Sequence, residues 1–233
     1  MTLALIIANK NYSSWSMRPW LALKAADVDF EEKLVPLGSD LFRKTLAGLG
    51  TAGRVPVLLD DGAAIWESLA IIEHVAELYP DRPFWPTDRA ARAMARAVAA
   101  EMHAGFHYLR RHLPMNLWRP PEPRALDEGG EKDLARLTAI WTAARARFGA
   151  EGPFLFGRFS AADAMFAPLA TRLRTYQVPM TPEVADYVAA IHAYPHFVAW
   201  RDAALAEPWE VAEDEVDWPI VKREAAPQGT TGA

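Results

Sequence analysis

Apolar positions along the chain follow two different rhythms, and the change falls near residue 80. Leu3 to Ala8 is an unbroken apolar run of strand length, followed by the polar stretch Asn9 to Ser16. Trp20, Leu21 and Leu23 then continue a helical pattern to about Ala26, with Ser14 or Ser16 as a cap and Pro19 suited to the first turn. Asp27 to Asp29 supplies a turn, Phe30 to Leu37 a second strand, and Leu41 to Leu46 a short helix that ends in the glycine-rich stretch 48–53. Val55 to Leu59 is predicted as a third strand. Asp60-Asp61-Gly62 turns it into a partner strand, Ala63 to Trp66, and Ser68 to Tyr79 is helical again.

The resulting order, βαβαββα, pairs a parallel βαβ unit with an antiparallel hairpin, which is the layout of a thioredoxin-like α/β domain over residues 1–80. Three prolines in residues 81–86 and at Pro80 mark a linker, after which strand signals nearly vanish. Thr87 or Asp88 caps a long helix whose apolar positions Met94, Val98, Met102, Phe106 and Leu109 recur at three- and four-residue steps. Beyond the proline-rich 114–123, helices are predicted over Glu131–Phe148, Ala161–Thr175, Pro182–His192 and Pro195–Ala206. The fold class is therefore α/β followed by an all-helical domain, residues 87–224. An acidic excess, 207–217, precedes a small, polar tail over 225–233.

Composition narrows the function more than the fold. With 51% hydrophobic and 24% charged residues in 233, the chain is ordinary globular material. A net charge of -5, with arginines spread along helices, leaves no footprint for nucleic acid. Residues 1–8 are short for a signal-peptide core and have no basic leader, and no later run is long enough to span a bilayer, so the cytoplasm is the expected compartment, with no membrane partner. Zero cysteines exclude disulfides, thiolate metal sites and any cysteine nucleophile. Thiol chemistry would need a borrowed thiol. His103 and His107 stand at metal-ligand spacing, but Ala104 occupies the place where a zinc-protease helix needs a glutamate, and no metal is expected.

Three short segments carry candidate chemistry. Tyr12-Ser13-Ser14-Trp15-Ser16 sits between a strand and a helix, where free N–H groups and the helix dipole favour an anion, although serines here also serve as plain caps. In Arg54-Val55-Pro56, the proline at a strand start marks an edge or a turn and admits a cis bond. Glu67-Ser68 opens a helix, where a hydroxyl and N–H groups can hold a carboxylate while Glu67 receives an ammonium.

Taken in order, Ser13-Ser14-Trp15-Ser16, Arg54-Val55-Pro56, Glu67-Ser68-Leu69-Ala70-Ile71-Ile72 and Phe159-Ser160-Ala161-Ala162-Asp163 resemble the glutathione S-transferases over nearly the whole chain. The last of these resembles that family's capping box and hydrophobic staple. The resemblance implies glutathione as co-substrate, its cysteinyl part along Val55 before Pro56, its γ-glutamyl end on Glu67 and Ser68, with Ser14 and Arg54 also in contact. It implies a small hydrophobic electrophile near Trp15, Met102, His103 and Phe106, and a homodimer. The first motif is most similar to the zeta class, whose Ser-Ser-Cys-Ser-Trp-Arg places Ser13 on the serine assigned to the thiolate, with Trp15 in place of the cysteine. Ser14 and Tyr12 remain as rival donors. The zeta class also brings the alternative of a glutathione-dependent cis–trans isomerase, in which basic residues hold substrate carboxylates, and Arg172 and Arg174 do not clearly match its register. A non-catalytic interaction module is the further alternative.

Overall fold

The computed structural model describes residues 2–216, so the tail over 225–233 and the last residues of the helical domain lie outside it. Four strands, β1 (Leu3–Ile7), β2 (Glu31–Leu34), β3 (Val57–Asp60) and β4 (Ala63–Trp66), form one sheet in the order β2-β1-β3-β4. β1 is parallel to β2 and antiparallel to β3, which is antiparallel to β4. Every residue of β1 is buried, which explains its unbroken apolar run: a central strand covered on both faces has no polar side to alternate with. β2 is shorter than the predicted Phe30–Leu37. Its last ladder bond is Val35 N–H to the Ile7 carbonyl (2.9 Å), and Pro36, which has no N–H, ends the pairing. Asp61 and Gly62, both at positive φ, make the β3–β4 turn.

Helix α1 (Ser14–Ala25) begins five residues before Pro19, which lies inside it and not in its first turn. Ser13 is the N-cap: its Oγ accepts from Ser16 N–H (3.3 Å). Helices α2 (Asp40–Leu46) and α3 (Ser68–Leu78) complete the first half. The connection that follows is packed, with Phe84 2% exposed and its carbonyl accepting from Ala161 N–H (2.8 Å).

The second half is helical: α4 (Arg89–Ala104), α5 (His107–His112), α6 (Glu128–Phe148), α7 (Ala161–Thr175), α8 (Pro182–Ala193) and α9 (Pro195–Leu205), followed by a one-turn 3-10 helix over 212–214. The single helix predicted across residues 87–109 is two. It breaks at Gly105, where a Cβ would meet the Glu101 carbonyl at 2.8 Å, and at Phe106, which adopts the left-handed conformation (φ 58°). The apolar rhythm survives the break because Phe106 and Leu109 still face the core. His103 and His107 consequently lie on different helices. α6 starts at Glu128, three residues before the prediction, capped by Asp127, whose carboxylate accepts from Gly130 N–H (2.7 Å). Gly129 in its first turn has a packing reason: the Tyr108 ring lies on it, so close that a Cβ would meet the ring at 2.3 Å.

At the core, α7 is buried along its whole length except Arg174, and it packs most closely on α1. Asp163, fully buried, accepts from Ser160 N–H (2.9 Å) and completes a capping box. The Phe159 ring stacks on Tyr194 (4.0 Å between centroids) and meets Phe154 edge-on.

Candidate functional site

The start of α1, the residues before β3 and the start of α3 converge on one side of the molecule. Helices α5 and α7 close the opposite side. Between them runs a cleft of about 370 Å³, lined by Tyr12, Ser13, Ser14, Trp15, Arg54, Val55, Arg110, Met115, Arg172 and Asp214 among others. An adjoining pocket of about 310 Å³ shares Trp15, Arg54, Val55 and Arg110 with it and adds Pro56, Trp66 and Glu67.

Each face of this site follows from local geometry. The Val55–Pro56 peptide is cis, and β3 begins only at Val57, so the Val55 backbone lies beyond the ladders that engage β3. Glu67, the residue before α3, is held at φ 69°, and its carboxylate lies 3.3 Å from His103 Nε2. Ser68 is fully buried, and its hydroxyl has no hydrogen-bond partner among the described residues. A buried hydroxyl without a partner costs on the order of 1–3 kcal/mol, so Ser68 is an unusual residue to find at the start of α3.

The three hydroxyls before α1 are in different situations. Tyr12 donates its hydroxyl to Glu215 Oε1 (2.8 Å), and burial together with that bond pushes its phenol well above the usual range. Ser13 Oγ is 2.7 Å from Ser16 Oγ, which in turn accepts from Ala8 N–H (3.1 Å). Ser14 is buried in the first turn and lines the cleft.

Trp15 lies between two cations, with the Arg18 guanidinium 4.1 Å from its ring centroid and that of Arg110 at 4.9 Å, while the His103 ring meets it edge-on at 5.3 Å. Arg18 is completely buried, and none of its three guanidinium nitrogens has a hydrogen-bond partner among the described residues. Burial, reinforced by the neighbouring Arg172 and Arg110 charges, drives its pKa well down. Arg172 gives Nε to the Leu113 carbonyl (2.7 Å), leaves Nη1 without a partner, and is pushed down to about 10 by burial and Arg110. Burial likewise lowers His103, whose Nδ1 is unpartnered. Unused donors and an excess of positive over negative charge, with Asp214 and Glu67 as the nearby acids, thus gather beside the cleft.

Of the residues singled out in sequence, Ser13, Ser14, Trp15, Arg54, Val55, Pro56 and Glu67 line these two pockets. His103 and Ser68 adjoin through Glu67 and the α3 start. Met102 and Phe106 do not line the cleft: Met102 is fully buried in the core, and Phe106 packs edge-on against Phe166 (6.3 Å). Their apolar spacing was core spacing. Sequence reasoning passed over Arg18, Arg110, Asp214 and Glu215. Arg18 had a legible signal, since it lies four residues after Ser14 on the same helical face within an apolar helix. Glu215 had none, being 203 residues from its partner Tyr12. Among the described residues no three His, Asp or Glu side chains assemble as a metal-ligand set.

Residues 12–78 match the family model for the glutathione S-transferase N-terminal domain, and residues 90–203 that for its C-terminal domain. The chain belongs to the glutathione S-transferase family. A probable maleylacetoacetate isomerase of Caenorhabditis elegans is 43% identical over 96 residues, 41% of this chain and 44% of that protein. The maleylacetoacetate isomerase of Pseudomonas aeruginosa is 34% identical over 112 residues, 47% of this chain and 53% of that protein. The chain thus spans about half the length of these curated relatives. Among solved structures, a glutathione transferase homologue from Burkholderia gl BGR1 with bound glutathione superposes with a TM-score of 0.65 at 27% identity, covering 86% of this chain and 96% of that one. A bacterial maleyl pyruvate isomerase described as a zeta-class glutathione S-transferase gives 0.62 at 25%, covering 88% and 98%. No helix among the described residues is long and apolar enough to cross a membrane.

Proposed function

We propose that the chain binds glutathione across the start of α1, Val55 and the start of α3, and activates its thiol for attack on a small electrophile. The observation that carries this reading is the convergence of Ser13, the Val55–Pro56 edge, Glu67 and the unpartnered Ser68 hydroxyl on one face. The cysteinyl backbone pairs with Val55 by strand addition, the γ-glutamyl carboxylate takes the Ser68 hydroxyl and the α3 N-terminus, and Glu67 receives the ammonium. Arg54, exposed at the rim, reaches the glycyl carboxylate.

A free thiol titrates near 8.5, so activation by about two pH units asks for roughly 2.7 kcal/mol of preference for the thiolate. A hydroxyl bond to a charged acceptor supplies roughly 1.5–3 kcal/mol and a helix N-terminus up to about 1 more. Ser13 supplies the donor by turning its proton: the hydroxyl that donates to Ser16 Oγ in the ligand-free protein swings to sulfur, and Ser16, whose Oγ keeps the Ala8 N–H, can then donate to Ser13 Oγ in return. On binding, the thiol proton leaves to solvent, and the thiolate attacks carbon with its electron pair.

The cleft is cationic, which replaces the hydrophobic electrophile with one that carries carboxylate. Arg172 and Arg110 line it, with Arg18 behind Trp15, and the unused N–H groups of Arg18 and Arg172 favour the isomerase reading suggested by the relatives' names. There the thiolate adds to a carbon–carbon double bond conjugated to a carbonyl, the resulting enolate rotates about the single bond, and thiolate is expelled again with no net oxidation. The reading includes a cytoplasmic homodimer; what supports the dimer is the exposed row Ala90, Ala93, Ala97 and Ala100 on α4, small enough for a second helix to approach closely.

Calorimetry with glutathione, then with a non-reactive dicarboxylate added to the glutathione complex, tests both levels. Glutathione heat in the wild type and loss of most dicarboxylate affinity in Arg172→Met are expected. No glutathione heat with folded protein moves the chain to the interaction-module reading, and full dicarboxylate affinity in Arg172→Met returns the electrophile to an uncharged one.

A further inference from the structure

The turn 9–12, which delivers Ser13 to the cleft, is tied to its own half by Leu37 N–H on Asn9 Oδ1 (2.8 Å) and by Lys10 on Glu32 (2.6 Å), and to the helical half by a larger set of bonds. Lys10 and Asn11 N–H groups go to the Glu207 carboxylate (2.6 and 3.1 Å), and the Lys10 carbonyl accepts from Trp200 Nε1 (2.9 Å). Asn11 Oδ1 accepts from Leu117 and Trp118 N–H (2.7 and 2.9 Å). The last fastening is Glu215. Its Oε1 accepts from the Tyr12 hydroxyl and from Asn116 Nδ2, both at 2.8 Å, and its Oε2 pairs with Arg119 Nη2 at 3.0 Å. Glu215 and Arg119 side chains are only 8% and 3% exposed.

Two charges taken out of water at such a place carry a desolvation cost that an apolar pair would avoid. What the carboxylate does, and an apolar residue would not, is accept a hydrogen bond. A phenol has a single hydrogen to donate, and here it is given to Glu215, one residue from the hydroxyl read as the thiol's donor. The neighbouring Asp214 is thereby set into the wall of the cleft beside Tyr12 and Arg172.

We propose that Glu215 is a positioning residue for the thiol site: by engaging the Tyr12 hydroxyl it makes Ser13 the hydrogen-bond donor to glutathione sulfur and fixes the turn that presents it. This rests on the glutathione reading given above. The same contact keeps the tyrosine adjacent to the serine away from the sulfur: the phenol is fastened to the far wall by a charge-assisted bond to a carboxylate.

The test is the pKa of bound glutathione, followed by thiolate absorbance, in wild type, Tyr12→Phe, Glu215→Ala and the double variant, together with the Tyr12 phenol titration in the ligand-free protein. Tyr12→Phe alone is expected to move the thiol by no more than a few tenths of a unit. Glu215→Ala is expected to raise it by about one unit, a tenfold loss of thiolate well below the pKa, and adding Tyr12→Phe is expected to raise it further, because the phenol freed by Glu215→Ala partly replaces the lost donor and the double variant removes it. The ligand-free Tyr12 titration falls in Glu215→Ala. Glu215→Leu, which removes the acceptor for Tyr12 but fills the same space, provides the same comparison where the alanine variant does not fold. A wild-type thiol pKa in a folded, glutathione-binding Glu215→Ala overturns the proposal, as does a Tyr12→Phe shift equal to that of the double variant. Absence of glutathione binding in the wild type overturns the functional reading itself, and the Tyr12 titration then still reports the Glu215 contact.

Discussion

A hydroxyl offers two acceptor positions and one donor, and the accounting at Ser13 decides its capacity. Its oxygen accepts from Ser16 N–H as the cap of α1 while its proton goes to Ser16 Oγ (2.7 Å), so turning that proton to a sulfur leaves the cap in place. Capping and thiol activation, which look like competing explanations in the sequence, are therefore compatible at this residue. Ser13→Ala is expected to raise the pKa of bound glutathione by about one to two units, roughly 1.4–2.7 kcal/mol, and separately to cost about 1 kcal/mol of stability through the lost cap. Titrating thiolate absorbance beside a thermal melt separates the two effects, and a large pKa shift in Ser14→Ala with none in Ser13→Ala would reassign the donor. At this scale the sequence was informative where chemistry sits next to an element boundary: Ser13, Val55, Pro56 and Glu67 were all legible from turn and cap signals. It was misleading for Met102 and Phe106, since an apolar residue facing a ligand and one facing the core have the same helical spacing. It was silent on Glu215 and Glu207, whose partners are fixed by tertiary packing alone.

Element boundaries moved wherever a side chain or a glycine contact outweighed a local propensity. Pro19 argued for a late start to α1, but the Ser13 cap and burial on both sides carry the helix through it, leaving the Trp15 carbonyl without its usual i+4 donor. The α7 start was read correctly from Ser160 and Asp163, yet sequence understated its stake. Asp163 accepts from Ser160 N–H and Oγ, both at 2.9 Å, from Leu155 N–H at 3.0 Å and from the Tyr187 hydroxyl at 3.1 Å, all buried. Asp163→Ala orphans this set and is expected to cost roughly 3–5 kcal/mol, well above the 0.5–2 kcal/mol of an ordinary cap. Burial pushes the Asp163 carboxyl up to about 6 against its four donors. An unfolded aspartate titrates near 3.9, so between about pH 4 and 6 the native state binds the extra proton. This contribution to stability is fully present below the unfolded value and is lost as pH rises through 6. Denaturant melts at pH 4, 5 and 6 are expected to give a wild-type curve that falls relative to Asp163→Asn by up to about 1.4 kcal/mol per pH unit. Parallel curves would show that Asp163 keeps its charge throughout.

The linker signal in residues 81–86 suggests two bodies joined by a hinge, whereas the packing describes a single one. The principal apolar core runs without interruption from Leu5 and Ile7 in the sheet through Leu21 and Leu23 of α1 and Phe84 of the connection to Phe166 and Leu169 of α7 and Ile191 of α8. The turn before α1 is also bound to the helical half by Glu207, Trp200 and Asn11. Prolines make a connection stiff as readily as they make it a boundary, and here Phe84 anchors it within the core. The site depends on this continuity, because its hydroxyls come from one half and its arginines from both. Unfolding should accordingly be one transition in which sheet and helical amides open together, since neither half can expose its side of a shared core without the other. Leu21→Ala, a truncation in the first half at a fully buried position, is expected to cost roughly 2–5 kcal/mol. If the two halves are one cooperative unit, native-state hydrogen exchange will show the most protected amides of α8, such as Ile191, losing as much protection as those of β1. Unchanged protection in α8 with loss confined to the sheet would mean that the helical half stands alone and that the shared core only rests against it.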